Sequence, residues 1–310
     1  IMYPDFKALE NAGYMTDEEK YRKLKEAVEE GNVTFEKVFA AQEEFEEPSD
    51  DDFRGELPCG LKWEDKDGNI RVHKSYVIRD TDGSDEEALA PFLRKGRTAK
   101  IPNRLLERAV EQIGDLKKSK MGTEEWREKV IEKLCVPDQD FLMIQIRRVS
   151  SSNEEIESEH VCPECGAHIK HFFTLDELEE TPYKGNETQE EVFMLPRGVV
   201  EKNKKGETVA VHKEVRMRLL NGKDREVCMP AVQQNPGKAT TIALSRISEF
   251  TDGYPLNEHT LRDMKTIDRK KMETVNKEMI DFGVNMEVEV ECQECGHTFK
   301  SGVNGIGNFF

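Results

Sequence analysis

Hydrophobic and polar residues recur with different periods along the 310-residue chain, and the pattern changes near residue 53. Before that point, helical spacing of four apolar residues predicts an amphipathic helix over residues 34–46: Phe35, Val38, Phe39 and Phe45. A capping box in residues 16–19 predicts the start of an earlier helix. The run that ends at Asp52 is too acidic and too rich in turn residues to be buried. Residues 1–52 are therefore predicted to form an acidic helical arm and a linker.

Short apolar runs separated by glycine turns come next, and they predict strands that lead into helices. Helical spacing predicts four helices, over residues 85–95, 103–115, 123–134 and 138–148. The last of these is apolar on several sides, which is typical of a helix buried in a core. Ser84 and Glu87 have the spacing of a capping box at the start of the first helix. Together these patterns predict an α+β fold.

The chain repeats its own motifs in the same order. The first matches are Leu57-Pro58-Cys59-Gly60 with Leu195-Pro196-Arg197-Gly198, Gly68 with Gly206, and Val72-His73-Lys74 with Val211-His212-Lys213. The next are Gly83, Asp85 and Glu87 with Gly222, Asp224 and Glu226, Asp138 with Asp268, and Glu157-x-Glu159 with Glu287-x-Glu289. The last is Cys162-x-x-Cys165-Gly166 with Cys292-x-x-Cys295-Gly296. Their shared order predicts an internal duplication, with a first unit over residues 53–182 and a shorter second unit over residues 183–310.

Charge and cysteine content narrow the possible functions. The chain carries 63 acidic against 46 basic residues, a formal net charge of −17. Nucleic-acid affinity depends on clustered cations that displace counterions from phosphates, so nucleic acid is not an expected partner. No apolar run reaches the roughly 18–20 residues that span a bilayer, and no signal peptide is recognisable. Seven cysteines with two Cys-x-x-Cys pairs favour metal chemistry in a reducing compartment over a secreted disulfide framework.

The two Cys-x-x-Cys-Gly turns predict one structural zinc site. Each turn presents two thiolates on one side of a tight knuckle, and two knuckles supply the four sulfurs of a tetrahedral Zn²⁺ site. The predicted ligands are Cys162, Cys165, Cys292 and Cys295, with one zinc ion per chain. The knuckles are far apart in sequence, but a duplication gives each unit one equivalent knuckle. The predicted fold is therefore an internally duplicated helical/β unit with a shared four-cysteine, zinc-ribbon-like site.

Other interpretations of the cysteines remain open at this point. A thioredoxin-like redox pair is one, although its Cys-x-x-Cys opens a helix. Two separate metal sites are another, each using neighbouring histidines: His168 and His171 in the first unit, and His297 in the second. Cys59, Cys135 and Cys228 have no such pattern and are predicted to be small core residues. The match of His73 with His212 favours packing or hydrogen bonding over catalysis.

No enzymatic activity is expected. Four thiolates leave no open coordination position for a catalytic water. The chain has no glycine-rich nucleotide-binding loop and no nucleophile elbow. These absences predict a structural protein rather than a metal-dependent hydrolase.

The chain resembles the baseplate hub and hub assembly proteins of contractile-tailed bacteriophages. The first unit carries this resemblance in Leu57-Pro58-x-Gly60, residues 85–90, residues 141–147 and Cys162-Pro163-Glu164-Cys165-Gly166. The second carries it in the predicted helix over residues 268–281, Gly283, a strand over residues 286–290, Cys292-x-x-Cys295-Gly296 and the closing Phe309-Phe310. The chain departs from the family pattern in its acidic arm and in Cys59, where a small hydroxyl residue is usual.

The resemblance implies a non-enzymatic structural or assembly component of the baseplate hub. Its expected partners are other baseplate or tail proteins in a larger symmetric assembly. Its expected location is the tail baseplate of the virion, and the host cytoplasm during assembly. The alternative function is a zinc-ribbon interaction module of a transcription or translation assembly, which would require a basic face with exposed aromatic residues.

Overall fold

The computed structural model describes residues 53–65, 68–151 and 156–302, which lie within a compact unit formed by residues 48–310. The predicted helical arm and the closing Phe309-Phe310 lie outside the described residues. The predicted division into units at residues 182 and 183 stays a prediction.

The first part of the described chain pairs a four-stranded antiparallel sheet with four helices. The strands, in the sheet order β1-β2-β3-β4, are β1 (Arg54–Glu64), β2 (Ile70–Ile78), β3 (Val110–Ile113) and β4 (Leu116–Lys117). The helices are α1 (Gly83–Arg94), α2 (Ile101–Ala109), α3 (Thr123–Lys129) and α4 (Val136–Ser151). A two-stranded hairpin, β5 (Ile156–Val161) and β6 (His168–Phe173), follows α4.

The second part follows a similar order. After the short strand β7 (Glu180–Thr181), the long strands β8 (Glu190–Lys202) and β9 (Thr208–Arg218) form a sheet with β10 (Ser248–Phe250), in the order β10-β9-β8. The helices are α5 (Gly222–Gln234), α6 (Pro236–Ile247), α7 (Glu258–Asp263) and α8 (Thr266–Met279). Strand β11 (Gly283–Val284) pairs with β7. A hairpin of β12 (Glu287–Glu291) and β13 (Thr298–Gly302) ends the described chain.

The predicted α+β class is confirmed, and two predicted helices are too long. The segment predicted as a helix over 103–115 is helical only to Ala109, because Val110–Ile113 pairs with β2 as an antiparallel strand. The segment predicted over 123–134 is helical to Lys129 and then tightens into a 3₁₀ turn, Ile131–Lys133. Tertiary pairing and packing override local helical preference in both places.

The capping box predicted from Ser84 and Glu87 is wrong. Asp82 caps α1, and its carboxylate accepts the N–H groups of Ser84 and Asp85. Asp85 in turn accepts the N–H of Asp82 through its side chain. Helix α5 begins in the same way, with Asn221 as the cap and Asp224 three positions on. The two helices therefore start with matching hydrogen bonds.

Each long hairpin is interrupted by an irregularity at its Leu-Pro-x-Gly motif. The register shifts between Glu56 and Leu61 in β1, and between Met194 and Val199 in β8. Gly60 and Gly198 lie inside these shifts with φ of 95° and 79°, a conformation that strongly favours glycine. A carboxylate from a helix holds each irregularity: Asp138 accepts the N–H of Gly60 at 2.7 Å, and Asp268 accepts the N–H of Arg197 at 2.8 Å.

A buried aspartate joins strand to helices in each part. Asp85 of α1 binds Arg79, which follows β2, and Arg108 of α2. Asp224 of α5 binds Arg218 of β9 at 2.7 Å and Arg246 of α6 at 2.8 Å. Both aspartates are 1% exposed. These ion pairs connect the end of the hairpin to the following two helices.

Helix α4 lies between two apolar clusters, as its apolar sequence predicts. Leu142, Met143 and Ile146 pack in the cluster that contains the first sheet and helices α1 to α3. Ile144 packs instead in a cluster with both short hairpins, β5–β6 and β12–β13. A separate cluster fills the space between β8, β9 and the helices of the second part. Helix α4 therefore contributes to the core of the first part and, through Ile144, to the cluster that contains the cysteine hairpins.

Candidate metal centre

Each Cys-x-x-Cys-Gly turn forms the tip of a short hairpin. In the first, the N–H of Cys162 donates to the carbonyl of Ala167 at 2.9 Å, and the N–H of Gly166 donates to the carbonyl of Cys162 at 2.9 Å. In the second, Cys292 donates to His297 at 2.9 Å and Gly296 donates to Cys292 at 2.8 Å. The two glycines have φ of 74° and 71°. The knuckles are therefore geometrically equivalent.

The two hairpins share one apolar cluster. It contains the fully buried Val290 together with Ile169 and Phe173, and the first cysteine of each knuckle also belongs to it. A polar contact adds to this packing, since His160 Nδ1 of β5 lies 2.8 Å from Ser301 Oγ of β13. Ser158 Oγ lies 2.8 Å from the other ring nitrogen of His160. Packing and hydrogen bonding thus hold the knuckles against each other.

The four predicted cysteines come together at the hairpin tips. Their sulfur atoms all lie within 4.8 Å of one another. Across the two hairpins, Cys162 Sγ lies 3.7 Å from Cys295 Sγ, and Cys165 Sγ lies 3.6 Å from Cys292 Sγ. A tetrahedral site with Zn–S bonds of about 2.3 Å has sulfur–sulfur separations of about 3.8 Å. The four thiols therefore fit a single zinc ion.

The electrostatics of the cluster also suit a cation. Burial raises the pKa of the Cys162 thiol, but the N–H groups of Cys165 and Glu164 outweigh this effect and lower the pKa to about 6. The N–H of His297 lowers the pKa of Cys295, but burial and three neighbouring thiols together raise it to about 12. Four thiols at this separation cannot all ionise without a positive charge between them, and a divalent metal would supply that charge.

The histidines that sequence analysis considered as ligands are not part of this cluster. Within the described part of the chain, neither group of three or more potential ligand side chains contains His168, His171 or His297. The ring of His171 stacks on Phe173, and that of His297 stacks on Phe299. This arrangement favours one shared site over two separate sites that use histidine.

The second group of potential ligand side chains was not anticipated as a cluster. It consists of Cys59, Cys135 and Asp138, all buried, with ligand atoms within 4.8 Å of one another. The prediction that Cys59, Cys135 and Cys228 are buried is confirmed. What sequence reasoning missed is that the first two meet beside Asp138. The only sequence signal for this group was the match of Asp138 with Asp268 in the repeated motifs, which indicated an equivalent carboxylate in both units.

Comparison with known protein families identifies a match. The family model described as T4 bacteriophage base plate protein matches residues 115–310, which include both knuckles. No curated protein and no solved structure matches the chain. Among the described residues, no helix has the length and apolar character that a membrane crossing requires. Because the family match covers more than half of the chain, the protein belongs to the T4 bacteriophage base plate protein family, and its role is that of a structural protein of the phage tail.

Proposed function

We propose that the protein is a structural or assembly component of the baseplate hub, in which one structural zinc ion joins two duplicated units. Its family supports the baseplate role. The hub position rests on the resemblance of its motifs to those of hub proteins. In this proposal, the partners are other baseplate or tail proteins in a symmetric assembly that forms in the host cytoplasm and occupies the tail of the virion.

The observation that carries the zinc proposal is the meeting of four thiols from hairpins that are distant in sequence. The ligands are Cys162 and Cys165 of one hairpin with Cys292 and Cys295 of the other. Four thiolates complete the coordination of Zn²⁺, so the proposal assigns the metal no catalytic step. The metal instead holds the end of one unit against the end of the other.

Matching hydrogen bonds in the two parts of the chain support the proposed duplication. Both parts begin with a long hairpin whose irregularity contains Leu-Pro-x-Gly. Both continue with a capped helix whose third residue, Asp85 or Asp224, binds two arginines. Both end with a helix that supplies Asp138 or Asp268, and then with a cysteine knuckle. A chance resemblance of motifs would not be expected to reproduce these contacts in the same order.

A structural zinc supplies what the small hairpins lack. A two-stranded hairpin alone is marginally stable in water. A structural zinc site can contribute on the order of 10 kcal/mol of apparent binding free energy, which becomes folding free energy where the site forms only on folding. The zinc would thus fix the two units in one orientation, as a subunit of a rigid tail requires.

The test is the metal content and thermal unfolding of the full chain before and after Cys292→Ser. The expected result is one zinc bound at the four-cysteine site, which is lost in the variant. The expected fall in Tm is at least roughly 10 °C, because a loss of about 5 kcal/mol, half of that contribution, already lowers Tm by this much at about 2 °C for each kcal/mol. Cys228→Ser is the matched control, since Cys228 is also buried but has no ligand partners among the described residues. Zinc that survives Cys292→Ser at this site would refute the shared-site proposal.

The hub position needs a separate experiment. Tagged protein would be located in purified tails after they are divided into central and peripheral baseplate parts. Recovery with the central part is expected. Recovery only with the peripheral part would contradict the hub position while leaving the family membership intact.

A further inference from the structure

The carboxylate of Asp138 lies at a place where strand β1, helix α4 and the second part of the chain meet. It is fully buried, and its two oxygens accept the N–H of Cys59 at 2.9 Å and of Gly60 at 2.7 Å. Cys135, just before α4, forms an isolated bridge with Asn221. Cys59 and Cys135 share a buried cluster with Leu219 and Phe282. The group therefore lies at a junction of several elements.

The thiols are not needed for the role that Asp138 plays in holding the irregular strand. In the second hairpin Asp268 accepts the N–H of Arg197 with one oxygen, and its other oxygen has no hydrogen-bond partner among the described residues. The residues that match Cys59 and Cys135 there are Arg197 and Lys265, and both are exposed. The conformation is thus held without any thiol in the second part. The two buried thiols of the first part pack in an apolar cluster, and they also add donor atoms beside Asp138 that the second part lacks beside Asp268.

Three side chains that can bind a divalent cation converge here, and all three are buried. The Cys135 thiol contacts both the Asp138 carboxylate and the Cys59 thiol, and Tyr183 also contacts Cys59. Thiolates and carboxylates are zinc ligands, so the three side chains provide donor groups that suit this metal.

The distances between the ligand atoms also fit a zinc ion. The two sulfur atoms and a carboxylate oxygen lie within 4.8 Å of one another. In a tetrahedral zinc site, the sulfur–oxygen separation is about 3.6 Å and the sulfur–sulfur separation about 3.8 Å. Cys59 also lines a cavity of about 620 Å³, together with Lys74 and Tyr183. This cavity reaches the cluster on the side of Cys59, from which a water could complete the coordination as the fourth ligand.

We propose that Cys59, Cys135 and Asp138 form a second divalent-cation site, of the zinc class, separate from the four-cysteine centre. The two backbone N–H groups hold the carboxylate in place, as outer hydrogen bonds commonly do for metal ligands. Binding releases the thiol protons to solvent and involves no redox step. A cation here would link β1 to the start of α4, both in the first part of the chain.

The test counts zinc ions in the reduced full chain by native mass spectrometry after saturation and removal of loosely bound metal. Two ions are expected in the unsubstituted protein, one in Cys59→Ala, one in Cys295→Ser and two in the control Cys228→Ala. One ion that is kept in Cys59→Ala and lost in Cys295→Ser would overturn the second site alone. One ion that is lost in Cys59→Ala and kept in Cys295→Ser would support the second site and overturn the shared four-cysteine site. No zinc in the unsubstituted chain would overturn both.

Cobalt(II) titration of the unsubstituted chain tests the same inference without any substitution that could impair folding. Two saturating phases are expected. The phase assigned to Cys59 and Cys135 should show about half the sulfur-to-cobalt charge-transfer absorption of the other, because it has two thiolates rather than four. A single phase with the intensity of four thiolates would overturn the second site.

Discussion

The ion pairs of Asp224 give a quantitative prediction about how the second part of the chain is held together. The carboxylate is 1% exposed and accepts from Arg218 and Arg246, so it links β9, α5 and α6. Asp224→Asn preserves the shape of the side chain but removes its charge. Breaking a buried ion pair by removing one partner typically costs 3–5 kcal/mol. The side chains of the two arginines are 39% and 32% exposed and can regain water, so about 2–3 kcal/mol is expected here.

The assay is urea unfolding followed by far-ultraviolet circular dichroism at neutral pH. Asp263→Asn is the matched control, because the Asp263 side chain is 72% exposed. Its effect should be within about 0.5 kcal/mol, as is usual for surface positions. Asp85→Asn should reproduce the loss in the first part of the chain, because Asp85 has the equivalent two arginine partners. A loss below about 0.5 kcal/mol in Asp224→Asn would refute the reasoning.

The same ion pairs predict a pH dependence. Burial raises the pKa of Asp224, but the hydrogen bonds and charge of Arg218, with smaller contributions from Asn221 and Arg246, lower it below its ordinary value of 3.8. A carboxylate with a lowered pKa in the folded state contributes stability above its unfolded pKa and loses it as the pH falls through the folded value. The difference between the unsubstituted protein and Asp224→Asn should be constant from pH 7 to about pH 5 and shrink below about pH 4. Comparing the two proteins cancels the loss of metal in acid, which affects both.

Two further substitutions test local features of the fold. Gly198→Ala should lower Tm more than Gly206→Ala, because both glycines have positive φ but only at Gly198 would the added Cβ lie 2.5 Å from a backbone oxygen, that of His212. A difference of at least about 1 kcal/mol is expected from thermal unfolding, and equal losses would contradict the crowding argument. Ser301→Ala removes a contact of His160 across the two short hairpins, and it should cost about 1 kcal/mol and speed zinc loss to a chelator. Unchanged zinc release would show that this contact does not stabilise the metal centre.

Local sequence was sufficient wherever a feature depends on neighbouring residues. The Cys-x-x-Cys-Gly knuckles follow from spacing and from a glycine that adopts positive φ, and the structure contains both turns. The apolar run of α4 predicts a buried helix, and Leu142 and Ile146 are fully buried. The order of the repeated motifs also led to the expectation that the knuckles would meet, since equivalent units can place equivalent turns together.

Other features were decided by residues far away in the sequence. Asp82 and Ser84 lie two positions apart, and either side chain can cap a helix. The helix begins after Asp82 because Asp85 then lies where it binds Arg79 and Arg108. The residues after Ala109 have helical spacing, but they pair with β2 because an unpaired strand edge leaves backbone groups without partners. The approach of Cys59, Cys135 and Asp138 has no short-range signal, because their separations of 76 and 79 residues to Cys59 follow no motif. Spacing along the chain therefore determines which side chains a turn or helix presents. Only the packing of strand, helix and hairpin determines which of them meet, because contact between distant residues depends on the shape of the whole core.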